Sequence, residues 1–230
     1  MAYFISIQST YDSVEFALCN EKEIVQIISE HKITASKNFF SCLSSLLSDH
    51  SVSLSDISFI AVNQGPGPFT TLRVVIASVN GISFATGIPL IGIDGLDALL
   101  LENKNDAKII KVALLNAFSQ DAYFAILQHE KVIDKGCKNI LLLLQEIKNT
   151  YHDAHITFIG NGVQLFSEQL HAFFPEQAKL NNQMLPMASI NQISLMGWER
   201  WIEKKDLSAK LMPIYLKQTI ASPARGACPP

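Results

Sequence analysis

Residues 61–77 read AVNQGPGPFTTLRVVIA, the most informative segment of the sequence, in which a strand-like pattern and a helix-like pattern meet at a Gly-Pro loop. The apolar run 57–63 before the loop has the composition of a buried strand, and residues 70–86 after it have the period of a long helix. The first N–H groups of such a helix are unpaired and its dipole is positive there. A loop of this kind can therefore hold an anion such as phosphate.

An ordinary strand-to-helix turn explains the same letters. In that interpretation Gly65 and Gly67 supply unusual backbone dihedral angles, while Pro66 and Pro68 stiffen the loop. The sequence contains neither GxxxxGK nor GxGxxG. The residues by themselves therefore favour a turn over a phosphate site.

Outward from this stretch, the periodicity predicts an α/β fold in which the order β-β-β-α-β-α occurs twice. The predicted strands are residues 3–8, 14–19, 24–30, 57–63, 90–93, 109–115, 122–128, 131–134 and 156–159, and the predicted helices are 36–49, 70–86, 95–102, 138–151 and 163–173. This duplication indicates two related lobes, each a mixed sheet with helices on its faces.

The domain boundaries follow from breaks in composition. The polar stretch NKND at 103–106 separates a first lobe, residues 1–103, from a second lobe, residues 104–221. A final helix of the second lobe is expected to pack back on the first lobe. Residues 222–230, SPARGACPP, are expected to form a disordered tail because they lack an apolar period.

Composition excludes several classes of function. The 230 residues carry a formal net charge of −3 and no run of Lys or Arg, which disfavours a stand-alone RNA binder. The four cysteines form no CxxC pair, and the N-terminal apolar run is too short for a signal peptide or membrane span. A reduced cytoplasm without membrane attachment is the expected location.

Two predicted helices have surfaces that suggest contact with another helix. Small residues at Ala77, Gly81 and Ala85 recur every four positions and would let a helix approach closely. The helix 36–49 combines an apolar stripe with a small, nearly uncharged remaining face. Packing of these two helices on each other explains the pattern equally well. The stripe of the helix 36–49 includes Phe39, Leu43 and Leu46.

Four stretches of the chain together resemble the TsaB family, within the actin-like superfamily that includes TsaD. GPGPFTTLR is similar to the family signature GPGSFTGLR, and GIPLIGIDGLDAL resembles the strand-helix passage that follows it. GNGVQLF and PIYLKQTIA resemble the family's GxG turn and terminal PxYLR segment. The resemblance implies an actin-like, two-lobed fold.

The chain departs from the family pattern at four positions. Gln8 stands where the first strand usually ends in Asp, and Asn116 takes the equivalent place in the second lobe. A neutral amide lacks the charge that Mg²⁺ coordination needs. Pro68 replaces a Ser, so the loop loses a hydroxyl and a backbone donor, and Thr71 replaces a Gly, which bears on how closely the helix packs. Independent ATP hydrolysis is therefore not expected.

By resemblance, the chain is a non-catalytic subunit that binds and activates TsaD, alongside TsaE, in threonylcarbamoyl transfer to adenosine 37 of tRNAs that read ANN codons. TsaC would supply threonylcarbamoyl-adenylate, tRNA would be met through the complex, and ATP or ADP and a metal would belong to TsaD. A homodimer is an alternative assembly. The expected partner or anion contacts in the loop are Gly65, Pro66, Gly67, Phe69, Thr70 and Arg73, and those on the helices are Phe39, Leu43, Leu46, Ala77, Gly81 and Ala85.

Two enzymatic alternatives use the same residues differently. A stand-alone actin-like ATPase or small-molecule phosphotransferase would bind nucleotide between the lobes, but the amides at Gln8 and Asn116 disfavour it. A metalloprotease-like hydrolase needs metal ligands, and the chain lacks the HxxxH pair with which TsaD binds its metal. We therefore expect no catalytic residue, no metal and no cofactor of the chain's own.

Overall fold

The computed structural model of the protein describes residues 2–102, 110–152, 154–175 and 185–217. The expected boundary at 103–106 and the expected tail at 222–230 lie outside these residues, so the division into domains stays a prediction.

The first sheet has six strands in the order β10-β5-β4-β1-β2-β3. Three consecutive strands pair as antiparallel hairpins, and β4 and β5 then add in parallel on the other side of β1. The strands are β1 Tyr3–Ser9, β2 Ser13–Asn20, β3 Glu23–His31, β4 Ile57–Asn63, β5 Leu90–Ile93 and β10 Leu207–Ser208.

The second sheet repeats this arrangement with four strands in the order β8-β7-β6-β9. Its strands are β6 Ile110–Asn116, β7 Asp121–Gln128, β8 Lys131–Asn139 and β9 Ile156–Ile159. The hairpins are antiparallel and β9 runs parallel to β6, as β4 runs parallel to β1. The duplicated β-β-β-α-β-α order predicted from the sequence is confirmed.

Seven helices within the described residues cover the faces of the two sheets. They are α1 Ala35–Ser48, α2 Phe69–Thr86, α3 Gly95–Glu102, α4 Ile140–Thr150, α5 Asn161–Leu165, α6 Ser167–Phe173 and α7 Ile190–Ile202. Helices α1 and α2 pack on one face of the first sheet, and α4 to α6 pack on the outer face of the second. Helices α3 and α7 lie in an apolar layer that joins the two sheets.

The structure corrects three details of the predicted elements. Strand β8 continues to Asn139 because it pairs with β7 along its whole length, beyond the predicted end at 134. The predicted helix 163–173 is two helices that meet at Phe166. The sequence pattern predicted no residue bounds for helix α7. This helix packs on the first sheet, where Trp198 stacks with Phe4 at a centroid distance of 5.9 Å.

Helix α2 has the length and apolar composition of a membrane span. Its inner side chains Leu72, Val75, Ile76 and Val79 are buried against the first sheet, as the sequence pattern predicted. The apolar content of α2 is that of a helix which contributes to a protein core.

The packing of α7 on β4 gives a test of the joining layer. A Cβ atom at Gly197 would lie 2.5 Å from the Cβ of Ala61, so the helix and the strand must separate to admit it. We predict that Gly197→Ala lowers the free energy of unfolding by about 1–3 kcal/mol in a denaturant titration. Gly81→Ala is the matched control, since no atom lies within 4 Å of the position that its Cβ would take, and it should add about 0.5–1 kcal/mol. Equal stability of the two variants would contradict this packing.

Candidate functional site

The Gly-Pro loop is an internally bonded turn that begins α2. Gly65 adopts a left-handed φ of +98°, its N–H donates to Asn63 Oδ1 at 2.9 Å, and its carbonyl accepts from Gly95 N at 2.8 Å. Gly65 and Pro66 are buried, and the dihedral angle of Gly67 is ordinary. The prediction that Gly67 supplies an unusual dihedral angle is therefore wrong. Two of the six predicted loop contacts lie inside the protein, and the N–H of Gly65 is already bonded.

Thr71 connects the first turn of α2 to the end of β1. The Ser9 hydroxyl donates to Thr71 Oγ1 at 2.7 Å, and Thr71 Oγ1 donates to the Pro68 carbonyl at 3.3 Å. Ser9 and Thr71 are both buried. The two departures at 68 and 71 therefore take part in one hydroxyl chain, which holds the helix start against the sheet.

Gln8 lies at the carboxyl end of β1 with its amide fully used by the protein. Its Nε2 donates to Glu15 Oε2 at 2.7 Å and to the Ala188 carbonyl at 3.3 Å, and its Oε1 accepts from Asn63 Nδ2 at 3.3 Å. The side chain is 1% exposed. The amide thus joins β1 to β2, to β4 and to the segment before α7. It does so at the position where the first strand of the family usually ends in Asp.

Asn116 occupies the corresponding end of β6 and is bonded through its backbone and its side-chain oxygen. Its N–H donates to Asn161 Oδ1 at 2.9 Å, its Oδ1 accepts from Phe118 N at 2.8 Å, and its carbonyl accepts from the Tyr11 hydroxyl at 2.8 Å. Burial raises the pKa of Tyr11, so its hydroxyl stays protonated and can donate across the lobes.

Two lysines form ion pairs with carboxylates, and the pairs of Lys135 join the two lobes. Lys135 of β8 pairs with Asp94 at 2.9 Å and with Asp97 of α3. Burial opposes its charge, but these two carboxylates raise the pKa of Lys135 overall. Lys217 pairs with Asp121 at 2.8 Å, and this contact raises the pKa of Lys217. Lys135 therefore joins the two lobes, and Lys217 ties the segment after α7 to β7.

Within the described residues, no three His, Cys, Asp or Glu side chains come together in a way that could hold a metal ion. The groups around Gln8 are bonded to one another, and they include the carboxylate of Glu15.

The side chains of the predicted contact stripe on α1 mostly face inward. Phe39 and Leu46 are 1% and 0% exposed, and Phe39 packs edge-on against Phe16 at a centroid distance of 5.0 Å. Their assignment to a contact surface is corrected, because a helix that covers a sheet buries its apolar stripe. Leu43 is also buried but forms the floor of a groove.

An open apolar groove of about 680 Å³ runs between α1 and α2. Gly81 and Ala85 line it from α2, and Ala77 is exposed one turn earlier. Phe40 and Phe84 are 59% and 94% exposed. Sequence reasoning missed both aromatic residues, because the period of an amphipathic helix gives no signal for apolar residues placed off its buried stripe. The groove is lined by Phe40, Leu43, Ser44, Leu47, Ser48, Val52, Leu54, Gly81, Ile82, Ala85 and Thr86.

Arg73 extends the exposed line of α2 toward the Gly-Pro loop. Its guanidinium carbon lies 3.5 Å from the ring centroid of Phe69, and its Nε donates to the Tyr215 hydroxyl at 3.0 Å. Phe69 and Tyr215 are about half exposed, and Thr70 is exposed beside them. Sequence reasoning missed Tyr215, since it lies 142 positions along the chain from Arg73.

Comparison with known proteins places the chain among proteins of one tRNA modification. A family model described as TsaD, tRNA N6-adenosine threonylcarbamoyltransferase, matches residues 30–224. The tRNA threonylcarbamoyladenosine biosynthesis protein TsaB of Buchnera aphidicola is 24% identical over 75% of this chain and 79% of its own length. An uncharacterised protein of Mycobacterium bovis is 36% identical over 77% of this chain and 72% of its own length.

The comparison of structures concerns the fold. YeaZ from Pseudomonas aeruginosa superimposes with a TM-score of 0.70 at 21% identity, covering 94% of this chain and 100% of the other. Together with the two related sheets, this likeness confirms the predicted actin-like, two-lobed α/β fold.

The bonding of Gln8 predicts the effect of restoring a carboxylate there. Gln8→Glu would place a new carboxylate beside the carboxylate of Glu15. The repulsion between the two would raise the pKa of the pair in the folded variant. Groups with raised pKa values destabilise the fold at high pH. We predict a loss of about 3 kcal/mol at pH 7 that shrinks toward pH 4, measured by denaturation at each pH.

The double variant Gln8→Glu with Glu15→Gln exchanges acceptor and donor and should recover most of the loss at pH 7. A pH-independent loss, or no recovery in the double variant, would contradict the assigned hydrogen bond.

Proposed function

The chain belongs to the TsaD family. We propose that it is a non-catalytic member, a subunit which binds and activates the enzyme TsaD in threonylcarbamoyl transfer to adenosine 37 of tRNA. TsaD would hold the nucleotide and metal and perform the transfer. TsaE would join the same assembly, TsaC would supply threonylcarbamoyl-adenylate, and tRNA would be bound through the complex in the cytoplasm.

The observation that carries this proposal is the exposed groove between α1 and α2. Soluble monomers rarely leave a contiguous apolar surface in water, and such a surface marks a site of protein contact. Phe40, which lines the groove, is 59% exposed, and Phe84, the residue before the lining residue Ala85, is 94% exposed. Gly81 lets another helix approach the backbone of α2 closely, because no atom lies within 4 Å of the position of its absent Cβ.

Activation without chemistry requires that the subunit bind one state of its partner more tightly than the other. A groove formed by two helices on a rigid sheet suits that task, since its shape is fixed before binding. Helix α2 is held on the sheet by its buried side chains and by the Ser9–Thr71 hydrogen bond. A partner that fits this surface would lose the conformations that do not fit it.

The competing function, a stand-alone ATPase or phosphotransferase, needs charged groups where Gln8 and Asn116 lie. Gln8 binds groups of the protein through both atoms of its amide, and Asn116 Oδ1 accepts from Phe118 N, which favours the subunit over the enzyme. We expect the isolated chain with Mg²⁺ and ATP to release phosphate no faster than a heat-denatured sample. Turnover that is lost in a Gln8→Ala variant would favour the enzyme.

The groove supplies a direct test of the subunit's role. We predict that Gly81→Leu weakens binding to TsaD from the same organism at least about 10-fold, because the new side chain fills the approach path of a partner helix. The fold should remain intact, since the position is open and leucine favours a helix over glycine by about 0.8 kcal/mol. Titration calorimetry measures the affinity, and thermal denaturation followed by circular dichroism checks the fold.

Two controls accompany this variant. Gly81→Ala adds only a methyl group and should retain most of the affinity. Gln145→Leu places a leucine on the exposed face of α4, away from the groove, and should bind TsaD normally. Normal binding by Gly81→Leu would show that the partner docks elsewhere, and an unfolded Gly81→Leu would show that the residue belongs to the core.

A further inference from the structure

Arg73 is an exposed cation whose position is fixed by two aromatic rings of its own chain. Phe69 lies under the guanidinium at 3.5 Å, Tyr215 accepts its Nε hydrogen bond, and the two rings are 5.7 Å apart. A stacked guanidinium has already lost most of its rotamer freedom, so binding an anion costs it little further entropy.

The guanidinium keeps most of its donors available. Of its five N–H donors, the Tyr215 contact uses the one on Nε. Across residues 2–102, 110–152, 154–175 and 185–217 no carboxylate pairs with Arg73. The remaining donors form the planar fork that binds a carboxylate through two parallel hydrogen bonds.

Helices α1 and α2, on which the partner is proposed to dock, carry charged side chains of one sign only. Helices α1 and α2 contain Lys37 and Arg73 but not one Asp or Glu, in a chain whose net charge is −3. In a pair formed through the same two helices, the helices of the second copy would themselves bring no carboxylate to Arg73. Of the acidic residues that flank α1, Glu30 is already bonded to Thr34 and Asn38, and Asp49 lies at the C-terminal end of the helix. A different protein with an acidic side chain at that end would satisfy it.

We propose that Arg73 anchors a carboxylate of the partner at the loop end of the docking face, and that this contact selects the heterologous partner over a second copy of the chain. The inference rests on the proposed function, because it takes TsaD as the partner that docks on α1 and α2. The face then has two parts, which are an apolar groove around Gly81 and a charged anchor at Arg73.

Tyr215 is the positioning residue of this anchor, and the segment that carries it is tied to α2. Asn80 of α2 binds the backbone of Leu211 through both its amide oxygen and its amide nitrogen, at 2.8 Å and 2.9 Å. Gln64 binds the carbonyl of Met212 with its side chain and the N–H of Ile214 with its backbone. The C-terminal segment therefore contributes to a surface that the helices alone would leave incomplete.

The test compares the affinity for TsaD of two variants, each of which replaces one cationic side chain of α1 or α2 by glutamine. Arg73→Gln should weaken calorimetric affinity for TsaD about 10- to 100-fold, as expected when a charged hydrogen-bonded pair is lost. Arg73→Lys should recover only part of the affinity, because an ammonium keeps the charge but loses the planar fork. Lys37→Gln is the matched control, since it removes the same charge from exposed α1 and should change the affinity less than about 2-fold.

Two further measurements separate anchoring from other causes. Tyr215→Phe keeps the ring but removes the hydrogen bond, and it should weaken TsaD binding less than Arg73→Gln does. Sedimentation equilibrium of Arg73→Gln without TsaD should show self-association equal to or stronger than that of the unmodified chain. Thermal denaturation of each variant checks that the exposed substitutions leave the fold intact.

The outcomes distinguish this inference from the proposed function. Unchanged affinity of Arg73→Gln, while the unmodified chain binds TsaD, overturns the anchor and leaves the subunit role standing. Equal losses in Arg73→Gln and Lys37→Gln indicate general electrostatic attraction and also overturn it. If the unmodified chain does not bind TsaD, the proposed function itself is wrong.

Discussion

The attachment of α2 to the first sheet determines which of its side chains face outward. The left-handed turn at Gly65 directs the chain from β4 into the helix, and the Ser9–Thr71 hydrogen bond holds the helix start. The inner side chains of α2 then bury themselves in the core, which leaves Gly81 and its small neighbours facing outward. A helix so attached on one side presents a rigid surface on the other.

Gln8 and Asn116, at the ends of β1 and β6, are bonded to other groups of the chain. In the two places where a charged group would organise a metal and phosphate, Gln8 and Asn116 instead bind neighbouring strands and segments. A buried amide with all its partners adds stability, whereas a buried carboxylate in the same place would need a cation. The amide of Gln8 therefore binds neighbouring segments of the chain, and the Tyr11–Asn116 hydrogen bond and the Lys135–Asp94 ion pair join the lobes.

Sequence patterns predicted the elements that depend on local periodicity and missed those that depend on distant partners. Strand β4 and helix α3 were predicted to the residue, because apolar period and glycine punctuation mark them locally. Phe39 was assigned to a surface because period identifies an apolar stripe but not what covers it. The contact of Arg73 with Tyr215 joins residues far apart in the chain, and no local pattern encodes such a pair.

We propose that this chain supplies a docking surface to a catalytic relative and performs no chemistry itself. The direct measurement is reconstitution of the modification with purified TsaC, TsaD and TsaE, tRNA, ATP, threonine and bicarbonate, with threonylcarbamoyladenosine quantified by mass spectrometry of the nucleosides. The account predicts that adding this chain raises the modification strongly and that a Gln8→Ala variant which remains folded does so equally. Modification that is unchanged by the chain, or that is lost in the Gln8→Ala variant while the fold persists, would contradict it.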